Sequence, residues 1–570
     1  MERLRVWAAG AGKMQRKTYR RASLGVFLVL LGVLIGLSFP KPLSDSPGRT
    51  AVYEVLDPRG QLPDIARVPL TPRLDDLNGK TLYLVRSWPT EGGRFDTVIS
   101  RLTSYLEQRF AGIEVVVMDR NEPYARDDPA LWQILQDNAD AFLYAAAPSA
   151  ATTHYAFVWS ALLEQRGLPG AVMLFEPLMG IQRTSSKLIG PPVRFTAFPF
   201  PADYLTDEEF ESAFASIVGT LTDPLAESER QNRVIEANER PRILTRGSLT
   251  EIQQYFRREA LTDGFPIIPP TQDRVDTMLA GTSHSPGEIV AAAMAPAGLE
   301  VTVEKVAVNA VLAGCGPEHL PVLLASIEAF GALDRTGIVR STNSFGFMQI
   351  VNGPIRHEIG MNSGTGLLGP GNHANVCMGR ALRLFVVNLG GGAVGENMMA
   401  QIGNMATYPM LFGENEEASP WPPLATDHGI REGDNALTMM IGLVGNTGSY
   451  GPWNFRLEHV AEDISEFEVH SVGATIIVTP PRAMELASAG MSKQDLKDFL
   501  QRESTKRLAE LRTTRFFAES EQTRDLNGEH EVTVYRPGAM EVIVAGGNAS
   551  TQMQAWNVGR PVTVSIDKWR

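Results

Sequence analysis

From Thr81 to Leu221, short apolar runs alternate with amphipathic stretches, and that rhythm admits few folds. Thr81–Val85, Val115–Met118, Ala141–Ala145 and Ala171–Phe175 are strand candidates. Between them, Phe95 to Phe110 places Val98, Ile99, Leu102, Tyr105, Leu106 and Phe110 on one helical face. Ala130–Asn138, Tyr155–Arg166 and Thr206–Leu221 supply the following helices, the last opened by Thr206 and Glu209 at capping-box spacing. Strands and helices alternating at this distance predict parallel βαβ units in a three-layer α/β domain over residues 77–223.

The chain has a different texture on either side. Residues 224–247 are polar and read as a connector, with Glu227, Glu229, Arg230, Glu236, Glu239 and Arg240. Residues 248–570 form a second, larger mixed α/β domain, rich in Gly, Asn and Met. Its elements are the apolar run Val306–Leu312, a helix Leu320–Phe330, a strand Phe347–Val351 and a helix over 374–388. A strand Thr475–Val478, helices near 482–488 and 493–511 and a strand Val542–Ala545 follow. With 44% hydrophobic and 21% charged residues, the chain has ample material for large cores.

The N-terminus predicts a location. Residues 1–23 form a basic tail, seven Lys and Arg against the single acid Glu2, and Leu24–Phe39 follows without a charge. Sixteen helical residues span roughly 24 Å, near a hydrocarbon core of about 30 Å. Residues 24–39 are therefore expected to be a single-pass anchor with the N-terminus cytoplasmic and the bulk of the chain periplasmic or extracellular. A cleaved signal peptide and a twin-arginine signal at Arg20-Arg21 are the alternatives; Gly36–Pro40 fits a cleavage site poorly. Residues 40–76 carry seven prolines from Pro40 to Pro72 and read as an extended stem. A net charge of −13 without a basic stripe beyond the tail excludes nucleic acid as a partner.

Leu77-Asn-Gly-Lys80 entering a strand, Ser87-Trp88-Pro89 leaving it, and the loop Ala146–His154 before a helix resemble the UGSC-like proteins. These are thiol or selenol proteins similar to glycine and betaine reductases, and the resemblance covers roughly residues 75–180. It implies a reactive cysteine or selenocysteine in that loop. Here the loop reads Pro148-Ser149-Ala-Ala-Thr152-Thr153-His154, and no cysteine precedes Cys315. A serine or threonine without an activating base does not replace a thiolate. Ser149–His154 is accordingly expected to serve the following helix, with small-ligand binding and covalent catalysis as the alternatives. The longer proteins of this group are also similar over 248–570, through Asp263-Gly-Phe-Pro-Ile-Ile-Pro-Pro270, Val308-Asn-Ala-Val-Leu-Ala-Gly-Cys-Gly-Pro-Glu-His319 and Glu414-Asn-Glu-Glu-Ala-Ser-Pro-Trp421. That likeness implies no particular reaction.

The chemistry-bearing residues gather in the second domain. Cys315 and His319 follow the apolar run and open a helix, where the dipole favours a thiolate. His373 and Cys377, at i and i+4, share a helical face behind the glycine-rich loop 362–372. If Cys315, His319, His373 and Cys377 converge, they form a metal site or a nucleophile–base pair; the two cysteines could instead form a disulfide. Asn362, Ser363, Asn375 and Arg380 are the candidate substrate-binding residues, a set suited to an anion or carboxylate. Gly364–Gly369 matches a dinucleotide-loop pattern only formally, since no strand precedes it. Glu414, Glu416 and Glu417, with Asp427-His428, are a further candidate divalent-ion cluster. The sequence identifies no cofactor. Two functions follow from these residues: an extracytoplasmic enzyme or enzyme subunit acting on a small polar molecule, or a non-catalytic binding or scaffold subunit of a membrane-associated complex.

Overall fold

The computed structural model describes residues 51–87, 96–120, 122–202, 205–235, 240–333, 336–404, 410–453, 455–467, 473–513 and 523–570. The basic tail, the apolar run 24–39 and the first part of the stem lie outside the described residues, as do Trp88 and Pro89. Among the described residues, no helix is long and apolar enough to cross a membrane.

Five parallel strands form the sheet of the first domain, in the order Glu114–Asp119, Thr81–Arg86, Ala141–Ala145, Gly170–Phe175, Arg194–Phe198. Both faces are covered because the strands are apolar on both. Tyr83, Val85, Phe142 and Tyr144 point into one core with the helices Pro129–Asn138 and Ala150–Gln165. Leu82, Leu84 and Leu143 point into the other with Asp96–Arg109 and Asp207–Thr222. Period-two alternation thus builds two layers of core from one set of strands. The Thr206 capping box is present: the Thr206 hydroxyl accepts the Glu209 N–H at 3.3 Å, and Glu209 accepts the Thr206 N–H at 2.7 Å.

The expected stem over 40–76 is, from Tyr53 onward, built into the molecule. Tyr53–Leu56 pairs antiparallel with Ile243–Gly247, and Ile65–Arg67 with Arg233–Ile235. Val55 and Leu56 are buried in the core of the second domain. Prolines suggest an extended chain, but the Tyr-Glu-Val-Leu run offers apolar residues that gain more by burial than by exposure, at about 25 cal/mol per Å². The connector 224–247 supplies both partner strands.

The second domain is organised on a six-stranded mixed sheet, in the order Met410–Gly413, Gly346–Asn352, Ala436–Asn446, Met553–Ser565, Ala474–Val478, Met540–Val544. Leu437, Met439 and Ile441 meet the helices Val303–Ala313, Leu320–Ala332 and His373–Leu384 on one face. Met440 and Ile350 belong to a smaller core on the other face. The two domains touch directly. Met399 is buried in the core of the first domain, and Arg183 grips Glu396 through bonds of 2.6 to 3.2 Å.

Candidate functional site

Helix Val303–Ala313 starts at Thr302, whose hydroxyl accepts the Lys305 N–H at 3.4 Å. It stops at Gly314, where φ is +87°. The Cys315 N–H returns to the Ala310 carbonyl and the Gly314 N–H to Val311, both at 3.0 Å. This paired closure needs a residue without Cβ at its centre, and it fixes the backbone that carries Cys315. Pro317 then heads a single 3-10 turn, Pro317–His319, in which the Gly316 N–H donates to His319 Nδ1 at 2.9 Å.

The second half of the site comes from helix His373–Leu384. Asn372 caps it by accepting the Asn375 N–H at 2.9 Å. His373 Nε2 donates to the Gly314 carbonyl at 2.8 Å, which ties the two segments together. The rings of His319 and His373 meet edge to face, 5.6 Å between centres. One turn on, Cys377 is buried beneath them. The donor atoms of Cys315, His319 and Cys377 all lie within 4.8 Å of one another. Residues 58 positions apart in the chain, Cys315 and His373, are therefore brought to one site.

Burial pushes the Cys315 thiol well above its ordinary range; Cys377 adds to this, and Arg380 offsets part of it. Burial draws His319 below the usual imidazole value, with His373 acting the same way and Glu318 against it. At neutral pH the Cys315 thiol and the His319 imidazole are thus both uncharged. This arrangement can hold a soft cation, or a thiol beside a neutral base.

The expected substrate-binding residues have other work. Arg380 grips Asp263 through bonds of 2.9 and 3.0 Å and donates to the Pro266 carbonyl at 2.8 Å. The Asp263 side chain is fully buried, so the Arg380 charge is already matched and is no bare hook for an anion. Asn375 accepts the Asn362 N–H at 3.1 Å and donates to the carbonyls of Asn362 and Leu367. Asn362 in turn accepts the Gly364 N–H and donates to Thr365. The Ser363 carbonyl accepts the Gly546 N–H at 2.8 Å. These contacts hold the glycine-rich loop in shape.

The acidic cluster likewise divides. Glu414 is buried, accepts from Asn352 and from the Leu424 N–H at 2.7 Å each, and has its pKa raised by burial. Burial works to raise Glu417 too, but hydrogen bonds from Arg356 and His357 hold it down to about 2. Glu416 lies 3.0 Å from Arg356. Asp427 belongs to a different group, 2.8 to 2.9 Å from Lys493 and Lys497. Matched charges of this kind do not make a cation site.

In the first domain, the strand order brings the ends of Thr81–Arg86 and Ala141–Ala145 side by side at the point where connections reverse direction. Ligands bind there in open parallel sheets. The Ser87 hydroxyl accepts the Ala147 N–H at 2.8 Å. Thr152 donates to the carbonyls of Ala147 and Ser149 at 2.9 and 2.8 Å, and Thr153 to Ser149 at 2.9 Å. The Ser149 hydroxyl makes no capping bond to helix Ala150–Gln165. His154 bonds Ser185 through Nδ1 at 2.8 Å, not a hydroxyl of its own loop. Burial, then the nearby Arg340, keep His154 well below the usual imidazole pKa.

The family model described as the UGSC family matches residues 54–227. These residues carry a UGSC-like domain. No curated protein and no solved structure matches the chain. The UGSC domain accounts for the parallel sheet and the loop at its switch point, and the larger second domain has no family assignment. Sequence reasoning gathered the four thiol and imidazole residues but missed Asp263 and Gly314 as their supports. Glycines flanking Cys315 on both sides were the available signal for Gly314. Nothing local to Asp263-Gly264 identifies Arg380 as its partner.

Proposed function

We propose that the protein is an enzyme or enzyme subunit that acts on a small polar substrate at the Cys315–His319–His373–Cys377 cluster of its second domain. The observation that carries this reading is the convergence of two thiols and an imidazole within 4.8 Å, with a second, exposed imidazole ring alongside. A purely structural role needs neither two thiols gathered around one imidazole nor a second ring at the surface. The test is turnover. The purified chain and a C315S/C377S double variant are each incubated with a mixture of small polar metabolites, and the mixtures are compared by mass spectrometry. Depletion of a metabolite by the wild type alone is expected. Identical mixtures overturn the proposal.

A second reading, a binding or scaffold subunit of a membrane-associated complex, is favoured by the UGSC domain. Its Thr152 and Thr153 hydroxyls and His154 are engaged in internal hydrogen bonds, and the thiol or selenol that the resemblance implies is missing. The proposal assigns that role to the UGSC domain and the chemistry to the second domain. Placement follows the basic tail and the uncharged run 24–39: a single-pass anchor, N-terminus cytoplasmic, with the bulk of the chain periplasmic or extracellular. Membrane fractionation with protease added from the outside checks this; recovery of the full-length chain in the cytosol overturns it.

A further inference from the structure

We infer that Cys315, Cys377 and the Nε2 atom of His319 bind one zinc-class divalent cation, leaving a fourth position open beside His373. The inference rests on the proposed reading of this cluster as the working site and names its cofactor.

Tetrahedral zinc with sulfur at about 2.3 Å and nitrogen at about 2.0–2.1 Å separates its ligand atoms by roughly 3.5–3.8 Å. The three donors already lie within 4.8 Å of one another, so a contraction of about 1.3 Å at most completes the set. Two thiolates with one imidazole are soft ligands, the kind that select zinc over magnesium or calcium. Each donor sits on backbone fixed by its own device: the left-handed closure at Gly314, the Pro317 turn, and the Asn372 cap.

Nδ1 of His319 accepts the Gly316 N–H at 2.9 Å, so ligation through Nε2 requires the ring proton to move to Nδ1 and this bond to open. A ring ligated at Nε2 carries its proton on Nδ1, and with the Gly316 bond opened Glu318 Oε1, 3.5 Å away, is the acceptor beside it. A carboxylate behind the ligating histidine is the usual outer support of such sites. Arg380, one turn beyond Cys377 on the same helix, is paired with Asp263 and so balances two thiolates only in part. A divalent ion supplies the remaining balance, and its binding releases two protons, one from each thiol. His373 is exposed and committed through Nε2 to the Gly314 carbonyl. That leaves three protein ligands and an open position, the pattern of catalytic rather than structural zinc.

The experiment uses the full-length chain, stripped with chelator, loaded with Zn²⁺ alone and dialysed, with metal counted by mass spectrometry. About one zinc per chain is expected, falling at least tenfold in C315S and in C377S and retained in H373A. Glu318→Gln, a positioning variant, is expected to weaken zinc affinity about tenfold or more without removing the site. Cobalt loading of the wild type gives a readout independent of variant folding: thiolate-to-cobalt charge-transfer absorption is expected. Zinc content in the wild type no higher than in the C315S/C377S double variant overturns the inference, as does a Cys315–Cys377 disulfide in the freshly purified chain. If Cys315-dependent turnover persists in zinc-free protein, the inference falls while the active-site reading stands. If zinc binds with the expected variant pattern and no metabolite is consumed, the metal site stands and the active-site reading falls.

Discussion

The switch-point loop of the UGSC domain and the thiol cluster of the second domain are built alike and equipped differently. Both lie where an apolar element ends and a helix begins. In the first, Thr152 and Thr153 turn their hydroxyls back onto the carbonyls of their own loop, and His154 turns away to Ser185. In the second, two segments far apart in sequence aim thiols and imidazoles at one another. The difference teaches that a helix start is only a platform. Chemistry needs reactive groups from a second segment, held there by contacts such as His373 to Gly314.

The sharpest way to break this contrast is substitution at the two platforms. C315S is expected to lower turnover by about a hundredfold or more, as loss of a nucleophile or metal ligand does, whereas S149A and T152A stay within about tenfold. Steady-state rates on a metabolite found by the turnover screen decide it. Total loss in T152A with folding intact would restore a chemical role to the UGSC loop.

Next in size are the buried ion pairs that support each region. Asp263 and Arg380 brace the cluster; Arg73 and Glu164, 2.7 Å apart, brace the UGSC domain. E164Q strands the buried Arg73 at a cost of about 3 kcal/mol, and D263N, which unpairs the partly exposed Arg380, costs less. Denaturation midpoints are expected to fall in both, but only D263N should speed alkylation of Cys315. Arg380 already lowers that thiol's pKa, and losing its partner strengthens the effect. Equal alkylation rates in the two variants would erase the distinction.

A smaller effect is expected at Gly314. Its φ of +87° penalises any residue with a Cβ, so G314A costs about 1–2 kcal/mol. It should also loosen Cys315, seen as faster labelling at unchanged pH. Labelling at the wild-type rate would show that the helix closure does not position the thiol.

The smallest is a pH effect in the UGSC domain. His154 has a folded pKa below its unfolded value of about 6.5. Below that pH the unfolded chain binds more protons, so this residue's contribution to stability is intact above about pH 6.5 and declines as the pH falls. The slope is at most about 1.4 kcal/mol per pH unit. H154Q should flatten the acid limb of a denaturation-midpoint profile; an unchanged limb would assign it to other groups.

Much of the UGSC domain was legible because its signals are local. Strand candidates of four or five apolar residues and helices at 3.6-residue spacing need no distant partner, and the Thr206 capping box lies within four residues. The strand Arg194–Phe198 escaped because arginine and threonine break its apolar run. In the second domain, Ala436–Asn446 and Met553–Ser565 were missed for opposite reasons. The first is a continuous apolar run without alternation; the second contains Gly559-Arg-Pro561, which reads as a break. At the site, the shared face of His373 and Cys377 followed from their spacing. Their meeting with Cys315 and His319, and the capture of Arg380 by Asp263, depend on long-range packing that no local pattern encodes.

The two antiparallel ribbons near the start of the described chain have a consequence of their own. Tyr53–Leu56 with Ile243–Gly247, and Ile65–Arg67 with Arg233–Ile235, place the entrance and exit of the intervening residues next to each other. Topologically, the UGSC domain is a guest, let out of and back into its host through a single doorway. The host closes its own core with Val55 and Leu56 on one jamb and the Ile243–Gly247 strand on the other. A guest seated this way can lose its own reactive group, or be exchanged for another module, without rewiring the host. Such modularity lets the inserted region vary while the thiol cluster of its host stays in place.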